Sequence, residues 1–216
     1  MSPLWCTAPE GAPPDDPIGM SSAVLSLGSN LGDRLGYLRA AVAGFADAPD
    51  TELVAASPVY ETGAWGGVPQ PDFLNAVIIV RSAELDAWGW LRRGQRLEAA
   101  AGRVREVHWG PRTLDVDVVV AYRGDPPAGG PSTAGAAAVA GAVADQVPAD
   151  GVVFSDDPEL RLPHPGTAER NTVLRPWLDI QPAAVLPGRG PVAALLAALG
   201  EDGLCRRDDL TLRGPA

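Results

Sequence analysis

The sequence predicts an α+β domain in which helices cover a sheet and the core elements run β-α-β-β-α-β. Short apolar runs of strand length alternate with segments that carry apolar residues at helical spacing, as at Leu35, Leu38 and Val42. The chain is 46% hydrophobic, which is typical of a globular protein. This order of elements predicts a ferredoxin-like core with extra helices.

Each core element has its own pattern in the sequence. Apolar stretches of five to ten residues predict the strands, and an apolar stripe every three to four residues predicts the helices. In chain order, the predictions are a strand at 23–27 that ends in residues 28–30, a helix at 33–45, strands at 52–61 and 73–81, a helix at 86–101, a strand at 113–122, a polar loop and short helix at 164–177, and a last helix at 192–199.

The predicted domain, residues 21–200, is bounded by two segments and interrupted by a third. Residues 1–20 are rich in Pro, Asp and Gly and are predicted to be a disordered extension. Residues 201–216 are predicted to be a C-terminal tail. The stretch from about 123 to 150 consists mainly of Ala, Gly and Pro, which predicts a mobile insertion, although a helix at 134–144 is an alternative.

Composition restricts the function. The net charge of −10 disfavours nucleic-acid binding, because a phosphate backbone would be repelled. No apolar run approaches the roughly 20 residues of a membrane helix, so no membrane association is predicted. Cys6 and Cys205 offer neither a disulfide framework nor a zinc motif, which favours a reducing cytoplasm. Nothing in the sequence indicates more than a monomer.

Two carboxylates, Asp115 and Asp117, lie on the last core strand. Side chains at i and i+2 share a face of a strand, about 6.6 Å apart at ~3.3 Å per residue, so Val116 and Val118 would face the core. Mg²⁺ ions would remove the repulsion between two such carboxylates. For so short a motif taken alone, a strand with one solvated polar face is the more frequent explanation.

The loop before this strand is rich in arginine. Arg103, Arg105 and Arg112 all lie shortly upstream of the two aspartates, and Trp109 lies between them. Guanidinium groups match phosphate oxygens and stabilise charge on a transferred phosphoryl group, and an indole can cover a flat ligand. Alone, such a loop is more often a solvated surface, but beside the two aspartates it favours phosphoryl transfer.

Three further motifs are weaker. Phe73 and Asn75 place an aromatic ring and an amide on one strand face, which suits a planar heterocycle but also describes a core Phe beside an edge Asn. His164, with Arg170 after it, would bind phosphate or satisfy a backbone carbonyl. The turn at 28–34 lacks the lysine of a phosphate-binding P-loop, so that class of NTPase is excluded and a strand-to-helix turn is predicted.

Taken together and in this order, the motifs resemble the 6-hydroxymethyl-7,8-dihydropterin pyrophosphokinase family of folate biosynthesis. The resemblance covers roughly residues 23–199 apart from the insertion. WGPRTLDVD is its most specific part. The matching stretches are LGSNLGDR (27–34), SPVYET (57–62), QPDFLNAV (70–77), GRVR (102–105), WGPRTLDVDV (109–118) and LPHPGTAER (162–170).

The resemblance implies ATP as pyrophosphoryl donor, a hydroxymethyl dihydropterin as acceptor and release of AMP. It implies that Asp115 and Asp117 hold two Mg²⁺ ions bound with ATP, and that Arg103 and Arg112 act on the phosphates. The ATP-site positions it implies are Gln95, Glu98, Arg105, Trp109, Arg112, Val118, His164 and Arg170. The pterin-site positions it implies are Thr62, Trp65, Phe73, Asn75 and Trp109.

One departure from the family pattern affects the pterin side. Thr172 stands where many members carry a phenylalanine that stacks on the pterin, and we expect Trp65 or Trp177 to take its place. Two other functions compete with the pyrophosphokinase. A binding module that had lost catalysis should have lost a metal Asp or a phosphate Arg, and both sets are present. A different Mg-dependent nucleotidyltransferase does not explain the WGPR and FLNA segments.

Overall fold

The computed structural model describes residues 19–63, 70–103, 111–125 and 151–213 of the 216-residue chain. In chain order, the elements are β1 (Ser21–Ser29), α1 (Arg34–Ala46), β2 (Glu52–Ala56), β3 (Val59–Thr62), β4 (Phe73–Ser82), α2 (Ala87–Ala100), β5 (Asp115–Arg123), β6 (Val152–Val153), β7 (Ser155–Asp156), β8 (Arg161–Leu162), a 3₁₀ helix (Thr167–Glu169), α3 (Asn171–Ile180), β9 (Val185–Leu186), β10 (Gly190–Pro191), α4 (Val192–Leu199) and β11 (Leu204–Arg207).

The main sheet confirms the predicted α+β class. Its strands lie in the order β11-β3-β4-β1-β5-β6, β2 also pairs with β4, and all neighbours are antiparallel. The predicted strand 52–61 is in fact two strands. The break falls at Ser57 and Pro58, where proline has no N–H to donate to a ladder. Ser57 remains attached to β4, since its Oγ accepts a 2.9 Å bond from Val77 N.

Helices cover both faces of the sheet. On one face α1 and α2 bury Leu38, Phe45 and Trp90 against the strands, and on the other α3 and α4 bury Leu174 and Trp177. Both helices of the first layer have an aspartate N-cap, whose carboxylate accepts a backbone N–H of the first turn. The second helical layer covers only part of its face, and the site described below lies beside it.

The ends of the domain differ from the prediction. The segment 201–216 is not simply a tail, because residues 204–207 form β11 on the edge of the sheet and Leu212 is buried in the core beneath α1 and α2. The predicted extension up to residue 18 and most of the predicted insertion, 126–150, lie outside the described residues. Within the described ranges, every helix is too short or too polar to span a membrane.

Candidate active site

A cavity of about 310 Å³ opens on the sheet face beside α3. Its walls come from β1, β3, β4 and β5, from the segment 164–170 and from the start of α3. The described residues that line it are Ser26, Gly28, Thr62, Gly63, Gln70, Phe73, Asn75, Arg112, Asp115, Asp117, His164, Glu169, Arg170, Asn171, Thr172 and Val173. The structure therefore brings the predicted aspartates, the Phe–Asn pair and the His–Arg pair to one place.

Strand register builds the floor of this cavity. Gly28 of β1 lies opposite Asn75 on one side and Asp115 on the other, and Ser26 lies opposite Asp117. Directly paired residues share a face, so these side chains point the same way. A Cβ at Gly28 would lie 3.4 Å from Asn75 Oδ1 and 3.8 Å from Asp115 Cβ. The missing side chain thus leaves a gap between the amide and the carboxylate.

The aspartate pair has the predicted alternation. Val116 and Val118 are buried in the core while Asp115 and Asp117 face the cavity. Asp115 is the more strongly paired: Arg103 Nη1 lies 2.8 Å from its Oδ1, and Arg112 binds its Oδ2. Burial, and then the nearby charge of Asp115, raise the pKa of Asp117.

Asp117 has more distant partners. Arg170 Nη1 lies 3.5 Å from one of its oxygens, and His164 Nε2 lies 3.8 Å from the other. A bulge in β5 helps to place the histidine, because the β1 register skips Val119 and the Val119 carbonyl accepts a 2.8 Å bond from His164 N. The cavity therefore presents two carboxylates that are flanked by arginine and histidine side chains.

Glu98 holds this group from the α2 side. It is 5% exposed, its Oε1 accepts a 2.8 Å bond from Val116 N, and it pairs with Arg103, which also reaches Asp115. This carboxylate therefore orients the arginine. Val118 likewise faces the α1 and α2 side, and Gln95 is exposed on α2. None of these three residues lines the cavity, and their place in the ATP site stays a prediction.

The predicted pterin side is partly assembled. Thr62 lies opposite Phe73, and Asn75 Nδ2 donates a 2.8 Å bond to Thr62 Oγ1. Thr172 lines the cavity, but Trp177 is fully buried and its Nε1 donates to Gln181 Oε1 at 2.7 Å. The expectation that Trp177 replaces a stacking aromatic is therefore wrong. The other predicted site residues, Trp65, Arg105 and Trp109, lie outside the described residues.

Asn30, which the sequence places only in a turn, supports the site from outside the cavity lining. It is 1% exposed, and its Nδ2 donates to Gln70 Oε1 at 2.9 Å and to the Pro71 carbonyl at 3.1 Å. Its Oδ1 accepts a 2.7 Å bond from Arg112 N, and its own N–H donates to the Arg112 carbonyl. One buried amide thus joins the backbone of a cavity arginine to the loop that carries Gln70.

The carboxylates present fit a hard cation that is shared with a substrate. Among the described residues there is no cluster of three or more His, Cys, Asp or Glu side chains that would enclose a metal by itself. Mg²⁺ is usually bound by one or two carboxylates together with substrate phosphates and water, which matches a pair such as Asp115 and Asp117. The flanking arginines suit the phosphates of the same substrate.

Comparison with known proteins agrees with the motifs. The chain is 44% identical over 183 residues to the 2-amino-4-hydroxy-6-hydroxymethyldihydropteridine pyrophosphokinase of Mycobacterium tuberculosis, covering 83% of this chain and 85% of that protein. It is 37% identical over 187 residues to the protein of the same name from Methylorubrum extorquens, covering 87% and 99% of the two chains.

The fold is also found among solved structures. The Plasmodium falciparum HPPK-DHPS wild type, crystallised with SDX-DHP, superimposes with a TM-score of 0.55 at 11% identity, over 89% of this chain and 49% of that one. This chain thus spans about half the length of that protein. A sequence model of the 7,8-dihydro-6-hydroxymethylpterin-pyrophosphokinase family matches residues 24–182. The chain belongs to this family.

Proposed function

We propose that this protein transfers the pyrophosphoryl group of ATP to 6-hydroxymethyl-7,8-dihydropterin, giving the pterin diphosphate and AMP. The observation that carries the proposal is the layout of the cavity. Asp115, Asp117, Arg112 and Arg170 line one side, and Phe73 with Asn75 lines the other, so a charged donor and a planar acceptor have separate places that meet above Gly28.

The donor side binds and neutralises phosphate. The acceptor's hydroxymethyl oxygen forms a bond to the β-phosphorus, and the bond from that phosphorus to the oxygen shared with the α-phosphorus breaks, so AMP leaves with that oxygen. Arg103 and Arg112 offset the negative charge that develops on it. We expect an aspartate of the pair to assist the loss of the hydroxyl proton.

Asp115 and Asp117 are the residues that would hold Mg²⁺, in the proposal two ions bound with ATP. Bound there, the ions would neutralise phosphate oxygens and orient the donor. Arg170 and His164 flank Asp117 and would contact the same phosphates.

The acceptor side binds and orients the pterin. The Phe73 ring offers a flat apolar surface, and Asn75 offers an amide that donates and accepts hydrogen bonds along the edge of a heterocycle. Asn75 is held by its bond to Thr62, so its orientation is fixed before the acceptor binds. This rigidity would bring the hydroxymethyl oxygen into line with the donor.

The test is a direct assay of purified protein with ATP and the hydroxymethyl dihydropterin, with and without Mg²⁺. AMP should appear only when the pterin and the metal ion are both present. Release of ADP, or AMP release that ignores the pterin, would contradict the proposal. Pterin binding without turnover would support the binding module instead. Monomeric state and cytoplasmic location stay predictions, and gel filtration with light scattering would check the first.

A further inference from the structure

The segment 200–212 lies beside β3, the strand that carries Thr62 of the acceptor side, although it is outside the part of the chain that matches the family, residues 24–182. Its strand, β11, pairs with β3 so that Leu204 lies opposite Thr62 and Cys205 opposite Glu61. Without β11, the cavity end of β3 would be a free edge with its backbone groups open to solvent. Thr62 and Gly63, at that end, both line the cavity.

An ion-pair cluster fastens the segment to the base of the loop between β3 and β4. Glu61 Oε1 lies 2.9 Å from Arg34 Nη1, and Glu61 Oε2 binds Arg207 of β11. Arg34 Nη1 also donates a 2.7 Å bond to the Asp72 carbonyl. Glu61 and Asp72 stand at the two ends of the loop, so the cluster holds those ends together. The three charged side chains are 23% to 29% exposed.

The same segment also holds the opposite wall. Asn171, the first residue of α3, lines the cavity, and its Nδ2 donates to the carbonyls of Gly200 and Asp202 at 3.2 and 3.3 Å. One turn further along α3, Arg175 Nη1 lies 3.5 Å from Glu201 Oε1. One short stretch of chain therefore touches both β3 and α3.

The far end of the segment is anchored independently. Leu212 is 6% exposed in the core beneath α1, and Arg39 Nε donates a 2.8 Å bond to the Thr211 carbonyl. The segment 200–212 is therefore fixed at both ends, which holds β11 in place between them. Because β11 pairs with β3, this restricts the position of β3. Thr62, in turn, accepts the bond that orients Asn75.

We propose that the segment 200–212 is a positioning element for the acceptor, and that Arg207 acts through Glu61 to set the place of Thr62 and Asn75. The inference rests on the proposed function. None of the atoms named in the ion-pair cluster belongs to the donor side. A substitution that breaks the cluster should therefore weaken acceptor binding and leave ATP binding unchanged.

The chain offers a matched pair of variants for the test. Arg207→Gln removes the charge that reaches Glu61. Arg206→Gln removes the same charge from the adjacent position of β11, where the guanidinium pairs with the exposed Asp208. An ion pair of this exposure contributes up to about fivefold in an equilibrium constant. We therefore expect Arg207→Gln to raise the pterin KM about threefold to fivefold with the ATP KM unchanged, and Arg206→Gln to leave both KM values unchanged.

Two further variants separate positioning from general stability. Arg207→Lys retains the charge and should recover part of the pterin KM. Glu61→Gln combined with Arg207→Gln should raise the KM little more than Glu61→Gln alone, because Glu61→Gln already breaks the pair with Arg207 as well as the pair with Arg34. A fall in Tm with an unaltered pterin KM, or an equal rise in the KM of both substrates, would overturn the inference. If the unaltered protein gives no pterin-dependent AMP, the proposed function fails instead.

Discussion

Replacing Asn30 by alanine tests whether one buried amide supports the donor side of the cavity. The change removes the bonds to Gln70, Pro71 and Arg112. A buried polar group left without a partner costs about 1–3 kcal/mol. Pro71 is exposed, so water can replace that bond at small cost, whereas Gln70 and Arg112 are half-buried residues whose bonds to Asn30 water replaces less readily. We therefore expect a loss of about 2–4 kcal/mol in the free energy of unfolding.

Ser29→Ala is the matched control for this change. Ser29 is fully buried beside Asn30, but its hydroxyl makes one bond, 2.5 Å to the Thr113 carbonyl. We therefore expect Ser29→Ala to lower the free energy of unfolding by about 1 kcal/mol. Urea unfolding, monitored by tryptophan fluorescence, measures the free energy of unfolding of both variants. Because Asn30 holds the Arg112 backbone, Asn30→Ala should also lower kcat more than Ser29→Ala does. Equal losses of stability for the two variants would refute the reasoning.

Three other substitutions address the cavity and its support. Asp117→Ala should lower AMP formation by more than about a hundredfold while leaving Tm unchanged or raised, because burial already disfavours its charge; a variant that retained most activity would remove Asp117 from the metal site. Gly28→Ala puts a methyl group 3.4 Å from Asn75 Oδ1, so it should fold normally and raise the pterin KM about tenfold; an unchanged KM would mean that no substrate approaches that gap. Gly94→Ala places a Cβ 2.9 Å from Val116 Cγ1 and should cost about 1–2 kcal/mol of stability despite alanine's better helix propensity; calorimetry showing a higher Tm would contradict that packing.

The parts of the site that the sequence predicted are those that depend on local periodicity. Strand alternation alone places Asp115 and Asp117 on one face and Val116 on the other, and the structure has this arrangement. The break between β2 and β3 was missed, although Pro58 was a visible signal for it. The segment 204–207 has no alternation that marks a strand, and it forms one because the edge of β3 is available to pair with it.

Contacts between distant parts of the chain could not be predicted in this way. Asn30 binds residues 40 and 82 positions away, and only the register of β1 between β4 and β5 brings them together. Trp177 belonged to a helix that was predicted, but which of its faces packs on the sheet depends on how α3 lies against β4. Periodicity therefore located the polar residues, and tertiary packing decided which of them share the cavity.

The pairing of charges around Asp115 implies an order of events when the donor binds. Asp115 holds two arginines, and under the proposed function we expect these guanidinium groups to turn to other anions as Asp115 takes up a cation. The phosphates of ATP are such anions, and they would arrive with the metal ion. We expect Glu98 to keep holding Arg103 during this exchange, because its carboxylate is buried and fixed to Val116 N. Under the proposed function, the donor site is thus preassembled in a set of ion pairs, in which substrate phosphate would replace carboxylate as the partner of arginine.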